Sequence, residues 1–297
     1  MKVQRPGHTE SHLLYSNFLK EKYPEKYDAS IEYFFIKWLY KTTGFYDKSI
    51  DINNISAIID SECYNKWIKL YNKAIYRCEH LECCIGNPNF ADRPPEYLYE
   101  YLMTLNPKSL TINGEYVYRE SSVMIDWKKY WCLEGYNRYG IYDGVFHKQY
   151  NLLENKKVLI ISAFSELIEY QYKNNVHKIF KNFPKFDLIT YTSPYTFLNN
   201  GPNSNFFDTL DNINNEIIKI DFDIALLSCG SYAAFLIDSI NQNIGKDAIY
   251  MGRGCSYMFG IDPKRNPTEY KDWITDIPTK FIPDYYKQIE DGIYWSK

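Results

Sequence analysis

Residues 221–259 read DFDIALLSCGSYAAFLIDSINQNIGKDAIYMGRGCSYMF and contain two short apolar runs, each followed by a turn with glycine. The first run covers 224–227 and leads into Ser228-Cys229-Gly230-Ser231, while the second covers 248–251 and leads into Gly252-Arg253-Gly254. A stretch with helical spacing lies between them. A strand, a glycine turn, a helix and a second strand in this order are typical of a parallel sheet.

The same alternation of strands and helices begins earlier in the chain. The pattern predicts, in order, a strand at 158–162, a helix at 166–180, a strand at 186–191 and a helix at 206–219. We therefore predict an α/β fold, with a Rossmann-like, mostly parallel sheet and helices on both faces. The long polar loop at 192–205 is the best candidate for a mobile lid or a substrate loop.

The first part of the chain has a different pattern. Apolar and aromatic residues recur at helical spacing over 13–42 and 55–73, with a break near Pro24. The residues that follow predict a short strand, then a helix, then a loop, at 74–76, 97–105 and 106–113.

This change of pattern suggests a domain organisation. We predict an N-terminal helical extension or cap at residues 1–70 and a Rossmann-like domain at residues 71–297. The extension could equally be a substrate-docking piece or a dimer surface, so a homodimer is a further expectation.

The composition narrows the classes of function. The 297 residues carry a net charge of -3 and a pI near 6.0, and this balance argues against nucleic-acid binding. No apolar run approaches the roughly 18 residues of a membrane span, and the N-terminus lacks a secretory signal. The odd number of cysteines and the absence of a CxxC pair suit free thiols in a reducing compartment. We expect a cytoplasmic protein without nucleic-acid or membrane partners.

The two glycine turns and the end of the strand at 158–162 form the first candidate site. Free backbone amides and a helix N-terminus at the carboxyl edge of a parallel sheet bind phosphate groups. We predict a phosphate-bearing ligand bound by Ser162, Cys229, Gly230, Ser231, Tyr232, Gly252, Arg253 and Gly254. The alternative is that these residues only form tight turns and helix caps that the fold requires. Neither GxGxxG nor a P-loop sequence occurs, which argues against the usual dinucleotide and P-loop sites.

The stretch Arg77-Cys78-Glu79-His80-Leu81-Glu82 is the second candidate, because a strand at 74–76 would place it at a strand end. His80 and Glu82 are two residues apart and share one face of an extended chain. An imidazole beside a carboxylate can hold a divalent cation that bridges a diphosphate, and Arg77 can neutralise phosphate charge. The alternative is a solvated, charged turn.

These residues resemble a known family. Arg77 with His80 and Glu82 resembles the arginine and DxE signature of GT-D-type glycosyltransferases, with His80 in place of the first Asp. Residues 220–261 are similar to bacterial and viral polysaccharide-biosynthesis proteins, in which a DvaLlgcGaYg turn precedes GKxaIxmGGxxQxxFGIxGkRW. Two further segments, KKVLIISAFSELIEYQY at 156–172 and IPDYYKQIEDGIYW at 282–295, also match. The matches together cover residues 74–86 and 156–295.

The resemblance implies a glycosyltransferase, of hexosyl or pentosyl type, that moves a sugar from a nucleotide-sugar donor to a glycan acceptor. It implies Mn²⁺ or Mg²⁺ as cofactor, with His80 and Glu82 as metal ligands and Arg77, His80 and Glu82 as catalytic residues. The residues that match the later motif are Gly230, Tyr232, Gly252, Phe259 and Gly260.

The chain departs from the family pattern at four positions. His80 replaces a carboxylate, and imidazole is a poorer ligand for Mg²⁺ than for Mn²⁺. Arg253, Ser256 and Asn266 stand where the family usually has Gly, Gln and Trp. Two other classes therefore stay open. One is a non-catalytic nucleotide- or glycan-binding relative of the same fold, and the other is a nucleotide-dependent hydrolase or reductase.

Overall fold

The computed structural model of the protein describes residues 2–83, 98–105, 109–112, 115–119, 152–292 and 294–295. The chain forms two compact units, each made from separated stretches of sequence. The first unit consists of residues 1–124, 195–218 and 230–245, and the second of residues 125–194, 219–229 and 246–297. The boundary predicted between residues 70 and 71 falls inside a helix of the first unit, and the capping role of residues 1–70 stays a prediction.

The strands of each unit run mostly parallel. In chain order they are β1 (Lys2–Gln4), β2 (His80–Cys83), β3 (Ser109–Ile112), β4 (Glu115–Arg119), β5 (Lys157–Ser162), β6 (Asp187–Thr192), β7 (Ile224–Ser228) and β8 (Asp247–Tyr250). In the first unit the order is β4-β3-β2-β1, and only β4 is antiparallel to its neighbour. In the second unit the order is β8-β7-β5-β6, all parallel. The predicted α/β class with a Rossmann-like, mostly parallel sheet is confirmed.

The helices of the described residues connect these strands. In chain order they are α1 (His8–Lys22), α2 (Ala29–Trp38), α3 (Ile55–Ile59), α4 (Glu62–Tyr76), α5 (Leu98–Thr104), α6 (Ser165–Asn174), α7 (Val176–Ile179), α8 (Phe206–Ile217), α9 (Tyr232–Ile244) and α10 (Gly254–Met258). The predicted break near Pro24 is confirmed, because a single 3₁₀ turn at Pro24–Lys26 separates α1 from α2.

Polar side chains fix where several helices begin. Asp28 accepts a hydrogen bond from the Ser30 amide at the start of α2, and Ser61 accepts one from Tyr64 at the start of α4. Asn205 caps α8 in the same way. Gly245 ends α9 in the left-handed conformation, with φ of +65°, which glycine adopts without steric cost.

The central strands of the second unit are apolar and buried over 158–161 in β5 and 224–227 in β7. Val158, Leu159 and Ile160 of β5 have no exposed surface, and in register β5 lies against Leu226 and Leu227 of β7. Continuous burial of this kind is typical of a parallel strand covered on both faces. The burial explains why the apolar runs in the sequence predict these strands correctly.

Aromatic side chains form much of the core of the first unit. The rings of Phe206 and Tyr232 stack with centroids 4.2 Å apart, and Phe235 meets Phe206 edge to face. Trp67 of α4 packs on Phe45 and is fully buried. Burial of one such side chain is worth about 1.5–3 kcal/mol.

Three sequence predictions are wrong in their local structure. Residues 74–76 form the last turn of α4 and not a strand, because Ala74 and Ile75 continue the buried face that Trp67 and Tyr71 begin. The loop predicted at 106–113 contains β3, whose residues pair with both β2 and β4. The helix predicted at 166–180 is interrupted at Asn175, which separates α6 from α7.

The polar loop that the sequence suggests as a lid is tied to the first unit over residues 195–205. Thr196 donates a hydrogen bond to the carbonyl oxygen of Gly44 (2.6 Å), and Asn199 accepts one from the Asp47 amide (3.1 Å). The Lys48 amide donates to the Ser204 carbonyl oxygen (3.0 Å). These three hydrogen bonds attach the loop to residues 44–48.

Candidate functional site

Small polar residues end adjacent strands at the carboxyl edge of the second unit. In register, Ser162 of β5 lies beside Thr192 of β6 on one side and Ser228 of β7 on the other. The Ser162 hydroxyl accepts a hydrogen bond from the Phe164 amide (3.1 Å), and Ser165 and Thr192 bond through their hydroxyl groups. Helix α6 begins directly after this turn. Ser162 therefore lies where the sequence predicts it, at the edge that binds ligands in α/β sheets.

The turn after β8 reaches the same edge of the second unit. The amides of Met251 and Gly252 both donate to the Leu227 carbonyl oxygen, at 2.8 and 3.2 Å. Gly252 adopts φ of +54°, and Gly254 bonds back to Met251 (3.2 Å). The turn is rigid because its own amides hold it.

Arg253 carries the most unusual electrostatic environment of this turn. Its guanidinium lies over the rings of Tyr257 and Tyr294, at 5.2 and 5.5 Å from the centroids. One of its terminal nitrogens, Nη2, is buried and has no hydrogen-bond acceptor among the described residues. The nearest carboxylate oxygen belongs to Asp262, 3.8 Å away. A buried donor without an acceptor is costly, so the site favours an anionic ligand.

Asp262 cannot compensate Arg253 fully, because it already serves a second arginine. Its Oδ2 accepts a hydrogen bond from Arg265 Nε (3.1 Å), and its Oδ1 accepts one from the Lys264 amide (3.1 Å). Asp262 is 6% exposed, and the Arg265 side chain is 10% exposed. Two guanidinium groups and one carboxylate leave this cluster with one excess positive charge.

Cys229 follows β7 in the second unit and is buried. Burial raises the pKa of its thiol well above the usual range, and the neighbouring Cys255 acts in the same direction. A thiol that stays protonated is a poor nucleophile and a poor metal ligand. Cys229 therefore shapes the turn, and covalent catalysis at this position is not supported.

The next residues, Gly230-Ser231-Tyr232, belong to the first unit and are used by the fold. The Ser231 amide donates to the Thr43 carbonyl oxygen (2.8 Å). Gly230 has φ of +60°, and a Cβ atom there would overlap that same carbonyl oxygen. The Tyr232 ring stacks on Phe206 and is 1% exposed, so neither face of the ring is accessible to the nucleobase of a ligand. The contacts of these residues therefore support the alternative that they form a tight turn required by the fold.

The sequence predicts that Arg77, His80 and Glu82 follow the end of a strand. The structure places them after a helix. Arg77 ends helix α4 and pairs with Asp238 of α9 (3.1 Å). His80 is the first residue of β2, is 1% exposed, and has its Nε2 atom 3.9 Å from Glu79 Oε2. The group thus begins at the amino end of a parallel strand, because residues 74–76 are helical.

The described side chains leave the metal implied by the resemblance untested. His80 is the first residue of β2 and Glu82 the third, and the side chain of Glu82 lies outside the part of the chain that the structure describes. Among the side chains that the structure describes, no group of three or more His, Cys, Asp and Glu could hold a metal ion. The ligand roles of His80 and Glu82 stay predictions, and no reaction step is assigned to a cation.

The sequence reasoning missed a buried polar group where β1 passes into α1. The polar residues buried in this region are Gln4, Thr9, Glu10, Ser11, His12 and Ser16. The His8 and His12 rings lie 4.8 Å apart, and His12 stacks on Phe35 at 4.2 Å. Burial lowers the pKa of His8, and burial together with the His8 charge lowers the pKa of His12 to about 3. The HxxxH spacing at the start of a helix was the available signal.

No protein-family model, no curated protein and no solved structure matches the chain. None of the helices in the described residues is long and apolar enough to cross a membrane.

The Gly230 turn gives a test with a matched control. Gly230 and Gly245 have nearly equal φ values, but a Cβ on Gly245 meets no atom within 4 Å. Gly245→Ala should cost about 1–2 kcal/mol through its left-handed backbone alone. Gly230→Ala should cost roughly 2 kcal/mol more, because the methyl group displaces Thr43. Urea unfolding measures both, and equal losses would show that the Thr43 contact is unimportant.

The buried histidines give a pH dependence with a defined sign. His12 is neutral when folded, so its burial contributes stability above the unfolded pKa near 6.5 that is lost as the pH falls toward 3. Between pH 7 and pH 5 this loss is roughly 2 kcal/mol for His12. His12→Phe keeps the ring on Phe35 and should flatten the pH dependence of the urea midpoint. An unchanged slope in this variant would contradict the assignment.

Proposed function

We propose that the protein binds a nucleotide-activated sugar and transfers the sugar to a glycan acceptor. The observation that carries the proposal is the buried guanidinium nitrogen of Arg253, which lacks an acceptor within a cluster of excess positive charge. A diphosphate would supply the missing oxygens. The GT-D-like sequence pattern supports the choice of a sugar nucleotide among diphosphate ligands.

The position of Arg253 agrees with this ligand. It follows β8 at the carboxyl edge of the second unit, the edge at which Ser162 and Ser228 end β5 and β7. The ten-residue helix α6 starts at this edge and adds the positive end of its dipole. Glu166 in its first turn would oppose an anion, but Lys280 forms an ion pair with it.

The proposed role of Arg253 is stabilisation of the leaving group. In the transfer, the bond from the anomeric carbon to the diphosphate oxygen breaks and the acceptor oxygen takes its place on that carbon. Negative charge grows on the departing nucleoside diphosphate, and the acceptor hydroxyl passes its proton to that diphosphate or to water. A fixed guanidinium at the diphosphate lowers the barrier because its attraction increases as that charge develops.

A divalent cation, bound as the resemblance implies, would neutralise further diphosphate charge. Cytoplasmic location and a homodimer are likewise proposals. For the dimer, Phe34 and Trp38 are exposed one helical turn apart on α2, so this surface is the first place to test.

A non-catalytic binding protein of the same fold is the second candidate. Three predicted site groups serve the fold itself: the Ser231 amide bonds to Thr43, Tyr232 is buried, and Arg77 pairs with Asp238. This candidate predicts nucleotide binding without hydrolysis or transfer of a sugar.

A thermal-shift screen with UDP, GDP and CDP, each with and without Mn²⁺, tests ligand binding first. At a ligand concentration of 100 Kd the folded state gains about 2.7 kcal/mol, which raises the Tm by several degrees. The matching sugar nucleotide should then lose its sugar to a glycan acceptor. Binding without turnover would favour the second candidate, and no shift with any nucleotide would contradict the transferase and leave only a glycan-binding form of the second candidate.

The Arg253→Met variant distinguishes a role of Arg253 in ligand binding from a role in the stability of the fold. We expect it to weaken nucleoside diphosphate binding by roughly 10- to 100-fold, since a charge-assisted hydrogen bond contributes about 1.5–3 kcal/mol. The free protein should keep or raise its Tm, because a buried nitrogen without an acceptor is removed and Asp262 keeps Arg265 as its partner. The control is Lys264→Met, which removes an exposed cation beside the same carboxylate. A lower Tm with unchanged affinity would make Arg253 a structural residue.

A further inference from the structure

A recessed surface lies within the first unit and includes none of the residues of the candidate site. It is a cleft of about 1160 Å³ between residues 47–50, the first turns of α4 and the start of α8. All the residues that line it belong to the first unit. Its volume exceeds the roughly 300–1,000 Å³ of a typical small-molecule pocket, so it suits an extended ligand.

Two polar residues of the cleft lining, Asp47 and Asn205, accept hydrogen bonds from backbone amides of the protein itself. Asp47 Oδ1 accepts hydrogen bonds from the amide and the hydroxyl group of Ser49, at 3.0 and 2.6 Å. Asn205 Oδ1 accepts from the amides of Phe207 and Asp208, at 2.8 and 3.2 Å. Cys63 is a protonated thiol there, because burial and Asp47 raise its pKa to about 12. Asp47 Oδ1 and Asn205 Oδ1 are therefore already used by the fold.

The walls of the cleft present polar side chains that the fold does not use. Glu62 of α4 and Asp211 and Asn212 of α8 line the cleft and are exposed. None of the three side chains forms a hydrogen bond or an ion pair with a described residue. Lys66 lies over the Phe207 ring, 4.2 Å from its centroid, so its charge is directed at an aromatic face.

Charge and hydrogen-bonding capacity narrow the class of ligand. Four carboxylates line the cleft, from Asp47, Glu62, Asp208 and Asp211, against two lysines, Lys48 and Lys66. The acidic excess disfavours phosphate and other anions. Carboxylate oxygens accept, and an amide both donates and accepts, so together they match ligands that carry many hydroxyl groups.

We propose that this cleft binds a neutral oligosaccharide through Glu62, Asp211 and Asn212. The choice of an oligosaccharide over other hydroxyl-rich ligands rests on the proposed function, which requires a glycan acceptor. The cleft needs no nucleotide to bind its ligand, because all of its lining residues belong to the first unit.

The test is binding of the full chain to a printed array of neutral, anionic and cationic glycans without any nucleotide. The strongest neutral glycan is then titrated by calorimetry against the wild type and the double variant Asp211→Ala/Asn212→Ala. We expect binding to neutral glycans and at least a tenfold loss of affinity in the double variant. The control is Asn215→Ala/Glu216→Ala, which removes one amide and one carboxylate from α8 outside the cleft lining. It should bind like the wild type.

Three results would overturn the proposal. One is no binding to any neutral glycan on the array, another is equal affinity in the two double variants, and the third is selective binding of charged glycans. The outcome is separable from that of the nucleotide proposal. Glycan binding with no nucleotide binding would reject the donor site and keep the cleft, whereas nucleotide binding with no glycan binding would do the reverse.

Discussion

The hydrogen bond from the Ser231 amide to the Thr43 carbonyl oxygen joins stretches of chain that are far apart in sequence. Gly230 makes this bond possible, because any side chain there would overlap the carbonyl group. Nearby, Thr196 bonds to Gly44 and the Phe206 amide bonds to the Tyr46 carbonyl oxygen. Residues 43–46 therefore hold both later stretches of the first unit, and the aromatic core containing Phe206 and Tyr232 forms across this junction.

The bond between the Ser231 amide and Thr43 distinguishes two glycine turns that look alike in the sequence. At Gly230 the following amide is used by the protein, so the turn resembles an anion site without offering its Ser231 nitrogen to a ligand. At Gly252 the turn is also held by its own amides, but it presents Arg253 with a buried nitrogen and no acceptor. The second turn is the one where the fold leaves a charge for a ligand to compensate.

Local signals in the sequence predict the second unit well. The predicted strands at 158–162 and 186–191 agree with β5 and β6 to within one residue at either end. The agreement is close because each run is mainly apolar. The run at 74–76 is too short to distinguish a strand from a helix, and its burial depends on Trp67 and Tyr71 one and two turns earlier. Periodicity over a longer window would have favoured the helix.

The site was harder to predict because its interactions are long-range. Nothing near Arg77 in the sequence indicates that its partner is Asp238, 161 residues away. The stacking of Tyr232 on Phe206 and the burial of His12 against Phe35 are likewise tertiary facts. Arg253 was identified from its turn, but its excess charge follows from Asp262 and Arg265, which the sequence analysis did not connect to it.

A crystal structure with a bound nucleoside diphosphate measures the central claim most directly. A diphosphate oxygen should lie within about 3 Å of a guanidinium nitrogen of Arg253, at the edge where Ser162 and Ser228 end their strands. A diphosphate anchored at Arg77 and His80, or one that makes no contact with Arg253, would contradict it.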